Sequence, residues 1–197
     1  MHHFDVETLT PGRWRNGGGT TREIASRPVG AEDFGWRASV ADIDRDGPFS
    51  TFGGVDRTLT LLAGDGVLLT SPGEFERLPA RAGEPFAFSG DLALSAEVSS
   101  AGCRVLNIMV RRGNWTARVE RVAGRVLAPS AHAGVFYVLR GRWQTGEDGH
   151  VLAAGQGVWW DEDGLAPGEG VEVGVGVEVA PLSPDAVALW ADLTPMG

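Results

Sequence analysis

The chain contains no lysine and only one cysteine, and both features exclude classes of function. A Walker phosphate-binding loop needs Gly-Lys-Ser/Thr, so a chain without lysine contains none. The dinucleotide-binding pattern also fails, because Arg22 stands where a third glycine is needed after Gly17 and Gly19. The single Cys103 permits no disulfide within the chain, and its apolar neighbours in Cys103–Val110 predict a buried, unreactive thiol.

An excess of positive charge and a long apolar run are also missing. Seventeen basic residues, all arginine, face 26 acidic ones, for a net charge of −9. This charge repels polyanions and argues against nucleic-acid binding. No stretch approaches the ~18 apolar residues of a membrane span, and the first residues lack the regions of a signal peptide. We expect a cytoplasmic protein that binds neither nucleic acid nor membranes.

Residues suited to metal binding or covalent catalysis are scarce. The chain has four histidines and no His-x-His pair, with His2 and His3 at an expected frayed end and His132 and His150 in expected turns. First-row metals favour imidazole and carboxylate ligands, so we predict no metal and no cofactor. The Gly-x-Ser-x-Gly elbow is absent and no histidine lies near Cys103 in sequence, so we assign no catalytic residue.

Short apolar runs punctuated by glycine and proline dominate the chain, and they predict an all-β fold. The predicted strands are Trp36–Asp42, Thr58–Leu62, Gly66–Thr70, Leu92–Val98, Val105–Val110, Val135–Leu139 and Val171–Val179. Only Asp185–Asp192 has a helical pattern, for about two turns. The 197 residues are 43% hydrophobic and include seven tryptophans, which is ample for a core.

An internal repeat predicts two similar halves. The matched segments are Leu62-Ala63-Gly64 with Leu139-Arg140-Gly141, Leu78–Gly83 with Leu152–Gly155, and Phe86 and Phe88 with Val158 and Trp160. Strand, glycine turn, strand, Leu-x-x-Gly turn and aromatic strand is typical of a small jelly-roll barrel. We therefore predict a bicupin, two tandem jelly-roll β-barrels of the RmlC type. Residues 1–113 form an N-terminal barrel with a ligand pocket, and residues 114–197 form a C-terminal barrel packed with it.

The stretch from residue 14 to residue 23 is the first candidate for ligand binding. It reads Trp-Arg-Asn-Gly-Gly-Gly-Thr-Thr-Arg-Glu. Its three glycines adopt positive φ readily and leave room for close approach. Around them stand an aromatic ring, an amide, a hydroxyl and a carboxylate, from Trp14, Asn16, Thr21 and Glu23. Such a segment either wraps around a ligand or forms a plain turn after Asn-Gly.

Three further segments place polar groups among apolar ones. Strand parity puts Ser39 on one face with Arg37 and Ala41, opposite Trp36, Ala38 and Val40. Asp56-Arg57 either forms a loop-stabilising salt bridge or offers a cation to a ligand. Asn107 and Met109 share a face, where the asparagine either bonds backbone or lines a cavity. The candidate ligand-binding residues are Trp14, Asn16, Gly17, Gly18, Gly19, Thr21, Glu23, Ser39, Asp56, Arg57, Phe88, Asn107 and Met109.

Taken in order, these motifs resemble the HutD/Ves family of cupin-like proteins. The motifs that carry the resemblance are residues 14–23, Trp36-Arg37-Ala38-Ser39-Val40-Ala41, Gly47-Pro48-Phe49-Ser50, Asp56-Arg57, Phe86-Ala87-Phe88-Ser89-Gly90-Asp91 and Asn107-Ile108-Met109-Val110-Arg111-Arg112-Gly113. The resemblance implies a bicupin fold and, for HutD, an association with bacterial histidine utilisation. It implies no established enzyme activity. The Ves branch is linked to stress response.

The resemblance further implies that the first barrel holds a small acidic metabolite of histidine breakdown, such as N-formimino-glutamate, N-formyl-glutamate or urocanate. Arg57 or the amides of Gly17–Thr20 can bind its carboxylates, and Trp14, Asn16 and Asn107 can contact a planar formimino or formyl group. On this basis we expect a metal-free accessory or regulatory protein of histidine catabolism.

Two alternatives remain open at this point. One is an enzyme that acts on a formylated or formiminated amino-acid derivative and uses Glu23 or Asp56 as acid or base. The other is an interaction module whose second barrel docks a partner protein, or a second copy as a homodimer, through Trp143, Trp159 and Trp160.

Overall fold

The computed structural model describes residues 1–79, 81–98, 102–129, 132–146, 149–161 and 177–196. Its strands are β1 His2–Asp5, β2 Pro11–Arg13, β3 Gly19–Arg27, β4 Trp36–Ile43, β5 Gly47–Phe49, β6 Val55–Ala63, β7 Val67–Ser71, β8 Phe75–Arg77, β9 Pro85–Ser89, β10 Leu94–Val98, β11 Cys103–Arg111, β12 Trp115–Val122, β13 Val126–Ala128, β14 Ala133–Arg140, β15 Trp143–Thr145, β16 His150–Leu152, β17 Gln156–Trp160, β18 Val177–Pro181 and β19 Val187–Pro195. The helix described in these ranges is a single 3-10 turn, Val6–Thr8. The all-β prediction is confirmed.

Within the described ranges, no helix has the length and apolar character that crossing a membrane requires.

The first compact unit, here called the N-terminal unit, comprises Leu9–Thr116 together with Met196. It contains a six-stranded sheet in the order β2-β3-β4-β11-β6-β9 and a four-stranded sheet in the order β5-β10-β7-β8. The strands pair antiparallel. Its main core cluster includes Ile43, Leu59, Leu61, Leu69 and Val105, with the aliphatic side chains almost fully buried.

The second compact unit, here called the C-terminal unit, comprises Met1–Thr8 and Ala117–Pro195. It contains a five-stranded sheet in the order β1-β17-β14-β19-β12 and a four-stranded sheet in the order β13-β18-β15-β16. The first strand of the chain belongs here, because β1 pairs antiparallel with β17 from His2↔Trp159 to Asp5↔Gln156. The 1–113 division would place that strand in the other unit. His2 and His3 therefore lie in a paired strand, and their expected fraying is wrong.

The internal repeat is visible in the strand order of the two units. Strand β6 lies between β11 and β9, as β14 lies between β19 and β17. In the four-stranded sheets, the order β5-β10-β7-β8 corresponds strand by strand to the order β13-β18-β15-β16. The matched glycine turns also agree, since Gly64 and Gly141 have φ of 94° and 77°, and Gly83 and Gly155 have 83° and 84°. The described pairings leave four open sheets, so the expected closed barrels are not observed.

The predicted helix at Asp185–Asp192 is wrong, because Val187–Pro195 forms strand β19 between β14 and β12. Both faces of this strand are covered: Val187 and Leu189 are buried on one face, and Ala188 is buried on the other. A run that is apolar on both faces does not distinguish strand from helix by periodicity. Of the predicted strand Val171–Val179, the structure describes Val177–Pro181 as strand; residues 171–176 lie outside the described residues.

Candidate functional site

The N-terminal unit contains a cavity of about 980 Å³, a volume within the usual range for small-molecule sites. Most of its lining comes from one face of the six-stranded sheet, from residues 14–16, and from the end of β5 with the loop after it, residues 48–52. The lining residues are Thr10, Gly12, Arg13, Trp14, Arg15, Asn16, Thr21, Glu23, Glu32, Arg37, Ser39, Ala41, Pro48, Phe49, Ser50, Thr51, Phe52, Arg57, Leu59, Val105, Asn107 and Met109.

Strand alternation decides which residues reach this cavity. Arg37, Ser39 and Ala41 of β4 line it, whereas Trp36 and Ala38 point away and are fully buried. The predicted parity of this strand is confirmed. The predicted shared face of Asn107 and Met109 is confirmed as well, because both line the cavity from β11.

Arg57 projects from β6 into the cavity lining and is 6% exposed. Its Nη1 donates to the carbonyl oxygen of Ser50 at 3.1 Å, and its Nη2 donates to Oδ1 of Asn107 at 3.5 Å. Its Nε is buried and has no hydrogen-bond partner among the described residues. No carboxylate of the described residues forms a salt bridge with Arg57, although a buried cation normally has one.

Aromatic rings surround the Arg57 guanidinium. Its Cζ lies 5.5 Å from the ring centre of Phe49, 5.3 Å from that of Phe52 and 5.2 Å from that of Phe88, distances typical of cation–π contacts. Burial, and secondarily the charge of Arg37, lowers the pKa of Arg57 to about 10. The guanidinium is therefore still cationic at neutral pH, and rings and neutral carbonyl oxygens compensate it only in part.

Arg37 forms the second cationic point of the lining. Its Nε lies 2.7 Å from Oε2 of Glu23, and Oε1 of Glu23 accepts a hydrogen bond from the Ser26 hydroxyl at 2.9 Å. A β-bulge between Glu23 and Ala25 turns this part of β3, a device that commonly redirects side chains beside functional sites. Glu23 is thus placed in the cavity, as predicted, but both of its oxygens are engaged.

The loop that carries Gly17, Gly18 and Gly19, here called the glycine loop, forms one wall of the cavity, but the three glycines do not line it. Trp14 Nε1 donates to the Thr21 hydroxyl at 2.7 Å, and Asn16 Oδ1 accepts the backbone N–H of Gly18 at 2.9 Å. The N–H of Gly17 is also used within the loop, by the carbonyl oxygen of Trp14 at 3.0 Å. Gly17, Gly18 and Gly19 are absent from the lining, whereas the side chains around them are present.

The three glycines meet different steric needs. Gly17 adopts a φ of 67°, in the left-handed region that favours glycine. Gly19 has an ordinary φ, but a Cβ there would overlap the carbonyl oxygen of Asp42 on the neighbouring strand. The amide cradle expected from Gly17–Thr20 is therefore replaced by a fixed loop that presents Trp14 and Asn16.

Asp56, a candidate ligand-binding residue, lies outside the cavity and does not pair with Arg57, so the salt-bridge alternative for Asp56-Arg57 is wrong. Its Oδ1 lies 2.7 Å from Nη2 of Arg112, and Arg112 also binds Asp91 at 2.8 Å. Successive strand residues point to opposite faces, which separates Asp56 from Arg57. Phe88 is likewise not part of the lining and contacts Arg57 at its ring.

Several lining residues were not singled out from the sequence as ligand contacts, among them Arg37, Glu32, Phe49, Ser50 and Phe52. The two phenylalanines and Ser50 belong to the segment Gly47–Gly54, which forms strand β5 and the loop after it. Its glycines and proline predict a turn but do not predict which way the side chains point. The signal for Arg37 was its shared face with Ser39, which follows directly from strand parity.

In the C-terminal unit, Gly134 occupies the position that corresponds to Arg57, and Trp160 the position that corresponds to Phe88. Gly134 pairs with Trp160 as Arg57 pairs with Phe88. Trp160 is fully buried in the core of the unit, and so is Trp143. These two residues therefore do not form the exposed docking surface that the interaction-module alternative needs. Trp159, also named for that surface, is stacked on His2 with ring centres 4.0 Å apart.

The remaining histidines are more structured than expected. His132 Nδ1 lies 3.1 Å from Oδ1 of Asp192 and is half-buried, and His150 lies in β16 with its ring 4.2 Å from that of His3. The expected turn is wrong for His150, which begins strand β16 although it is exposed, whereas His132 does lie in a bend before β14 and is half-buried there. In the described ranges, no group of three or more His, Cys, Asp or Glu residues has the arrangement of a metal site.

The comparisons with known proteins agree with this architecture. The family model HutD matches residues 6–172. Protein Ves of Citrobacter koseri is 41% identical over 164 residues, covering 82% of this chain and 84% of that protein. The solved structure of HutD from Pseudomonas fluorescens SBW25 superposes with a TM-score of 0.81 at 28% identity, covering 100% and 99% of the two chains.

A conserved protein of unknown function from Pseudomonas aeruginosa PAO1 superposes with a TM-score of 0.78 at 26% identity, covering 98% of each chain. The family match spans both the cavity-bearing unit and much of the unit that follows. This chain is therefore a member of the HutD/Ves family, with its cupin-like all-β fold.

Proposed function

We propose that this protein is a cytoplasmic, metal-free binding protein for a small acidic metabolite of histidine breakdown, such as N-formimino-glutamate, N-formyl-glutamate or urocanate, and that it acts as an accessory or regulatory protein of histidine catabolism. The observation that supports this most is the environment of Arg57. This residue is a buried cation in the wall of a cavity, and the described residues supply it with no carboxylate partner.

A ligand carboxylate would supply the missing negative charge. Carboxylates bind guanidinium groups through short, charge-assisted and often paired hydrogen bonds, which suits the buried Nε that has no partner. The cavity also concentrates positive charge, because its lining holds four arginines and two glutamates in a chain of net charge −9. A positive cleft in an acidic protein favours the entry of anions.

The rest of the lining suits a ligand with a planar polar group. Trp14 and Phe49 meet edge to face with ring centres 5.8 Å apart, and Trp14 lines the cavity beside Asn16. Asn107 and Ser39 add an amide and a hydroxyl from the sheet. These groups can contact a formyl, formimino or imidazole group beyond the carboxylate, as small-molecule sites combine apolar walls with few polar contacts.

We also propose that both units are cupin jelly rolls that arose by duplication. The repeated strand order and the matched positive-φ glycines support this, and only one of the two units carries an arginine at the cavity position.

The test is thermal unfolding of the purified protein with N-formimino-L-glutamate, N-formyl-L-glutamate, urocanate, histidine or glutamate, with and without EDTA. A ligand at a hundred times its Kd adds about 2.7 kcal/mol of stability, several degrees for a chain of this size. We expect one acidic metabolite to raise the Tm, independently of EDTA. The Arg57→Met variant should lose this rise, and Arg118→Met, a change on exposed β12, should keep it.

Absence of any shift in the wild-type protein would contradict the proposal, and so would an equal shift in Arg57→Met. A shift that needs a metal would contradict its metal-free part.

An enzyme is the second candidate, because Glu23 is a carboxylate in the cavity wall. Incubating the same metabolites with the protein and analysing them by mass spectrometry tests it. Product that forms with wild type and not with Glu23→Gln would favour the enzyme, whereas binding without product favours the binding protein.

Light scattering of the same samples tests whether a second copy is a partner.

A further inference from the structure

Arg37 and Arg57 occupy one row across the six-stranded sheet. Met109 of β11 pairs with Arg37 of β4 on one side and with Arg57 of β6 on the other. The two arginine backbones are therefore two strand spacings apart, ~10 Å, with both side chains on the cavity face. The charge of Arg37 also contributes to lowering the pKa of Arg57, so each lies within the other's field.

The two cations differ in how they are neutralised. Arg57 is buried and has no carboxylate partner in the described residues, whereas Arg37 is 28% exposed and is matched by Glu23. The approach of Arg37 Nε to Glu23 is short, yet that nitrogen has no hydrogen-bond partner of proper alignment. A partly exposed and poorly aligned pair contributes little stability, so another carboxylate can replace Glu23 at small cost.

We propose that Arg37 is the second anchor of this site and that the cavity selects ligands with two carboxylates. One ligand carboxylate binds Arg57, and the other takes the place that Glu23 occupies on Arg37. Glu23 is thus a carboxylate of the protein itself that competes with the ligand and releases Arg37 only to a second anionic group. This inference rests on the proposed anion-binding function and specifies the ligand class of that site.

The surroundings of Glu23 support a competing role. The β-bulge after Glu23 and the hydrogen bond from Ser26 hold its carboxylate against Arg37. A ligand with one carboxylate gains Arg57 only and leaves the Glu23–Arg37 pair intact. A ligand with two carboxylates binds both arginines and frees Glu23, which is 43% exposed and can turn toward solvent. The additional contact with Arg37 is what makes the cavity prefer a dicarboxylate to a monocarboxylate.

Titration calorimetry can measure this selectivity with matched probes. The dicarboxylate probe is N-formyl-L-glutamate, and the monocarboxylate probes are its two monoamides, N-formyl-L-glutamine and N-formyl-L-isoglutamine, which keep its shape. We expect the wild-type protein to bind the dicarboxylate more tightly than either monoamide, by about tenfold. We expect Arg37→Gln to remove this preference and to leave the affinity for the better monoamide within about threefold.

Substituting Glu23 should act in the opposite direction. We expect Glu23→Gln to raise the affinity for the dicarboxylate severalfold and to change the affinity for the monoamides less. Glu84→Gln is the matched control, because Glu84 belongs to an exposed ion pair with Arg77 and does not line the cavity. Arg77→Gln is the matched control for Arg37→Gln, and neither control should change the preference for two carboxylates. A Tm measured for each variant confirms folding.

The possible outcomes separate this inference from the proposed function. Equal binding of the dicarboxylate and the monoamides would overturn the inference, as would a lower dicarboxylate affinity in Glu23→Gln. Selective binding of urocanate, which has one carboxylate, would overturn the inference and leave the proposed function standing. Failure of every carboxylate to bind would overturn the proposed function itself.

Discussion

Trp160 packs directly against Gly134, and a Cβ at that glycine would lie 2.7 Å from Cε2 of the indole. The two residues are paired across β14 and β17, as Arg57 and Phe88 are paired across β6 and β9. The N-terminal unit has the Arg57 guanidinium at this position, beside a cavity. The C-terminal unit has Gly134, which has no side chain, and the Trp160 indole fills the space. The same strand position thus lines a cavity in one unit and is closed by core packing in the other.

Gly134→Ala should therefore destabilise the protein by about 1–3 kcal/mol, because the added methyl group must displace a fully buried tryptophan. Urea denaturation followed by fluorescence measures the change. Gly124→Ala is the control, since nothing lies within 4 Å of a Cβ there, and it should stay within about 0.5 kcal/mol of wild type. Equal effects of the two substitutions would contradict the packing described here.

Gly19→Ala should destabilise the N-terminal unit by about 2 kcal/mol or more, because the new Cβ would overlap the backbone carbonyl of Asp42. Backbone atoms in a paired sheet cannot give way as a flexible side chain can. Gly12→Ala on the adjoining strand is the comparison, since its Cβ would lie at an ordinary 3.6 Å from the carbonyl oxygen of Thr21. Chemical denaturation measures the free energy of unfolding of each variant. A smaller loss for Gly19→Ala than for Gly12→Ala would contradict the close approach of Gly19 to Asp42.

Arg57→Met should leave the unliganded protein as stable as wild type or stabilise it by up to about 2 kcal/mol, because it removes a buried cation without a carboxylate partner. Arg104→Met should instead lower the stability by about 1–3 kcal/mol, since Arg104 Nε lies 2.6 Å from Asp42. Denaturant titrations without ligand compare them. A larger loss for Arg57→Met would assign Arg57 a structural role.

Cys103 should resist thiol reagents in the folded protein. It is 2% exposed, and burial, together with the charge of Asp42, raises the pKa of its thiol to about 11. Because the thiolate is the reactive form, labelling by a disulfide reagent at pH 8 should be slow in buffer and fast in denaturant. Rapid labelling in buffer would show that the strand carrying Cys103 opens readily.

Asp42 should contribute to the loss of stability in acid. Burial raises the pKa of its carboxyl group, but hydrogen bonds from Arg104 and Arg22 outweigh this and lower the pKa below its ordinary value. A carboxyl group with a lowered folded-state pKa stabilises the fold above the unfolded-state pKa, about 3.9, and loses this contribution as the pH falls further.

Between pH 6 and pH 3, the free energy of unfolding should therefore fall more for wild type than for Asp42→Asn. The variant should be less stable than wild type at pH 6, and its stability should depend less on pH. Asp65→Asn, at an exposed position, should behave like wild type. Parallel pH profiles for wild type and Asp42→Asn would contradict this assignment.

Local patterns in the sequence were sufficient for much of the fold and for part of the site. The alternation in Trp36–Ile43 placed Arg37 and Ser39 on one face, and the glycine spacing revealed the repeat that the strand order confirms. The pattern failed at Val187–Pro195, where burial on both faces hides the strand period, and at the glycine loop, where composition does not orient a backbone.

The sequence by itself determined that the chain is all-β, repeated and a member of the HutD/Ves family, because alternation, glycine turns and motif order are local properties. Tertiary structure alone decided the partners of the charged residues. Asp56 and Arg57 are neighbours in the chain, yet one is exposed and bound to Arg112 while the other is buried beside Asn107. Neighbours in a strand point to opposite faces, and contacts across a sheet depend on strand order and register, which join residues distant in the sequence.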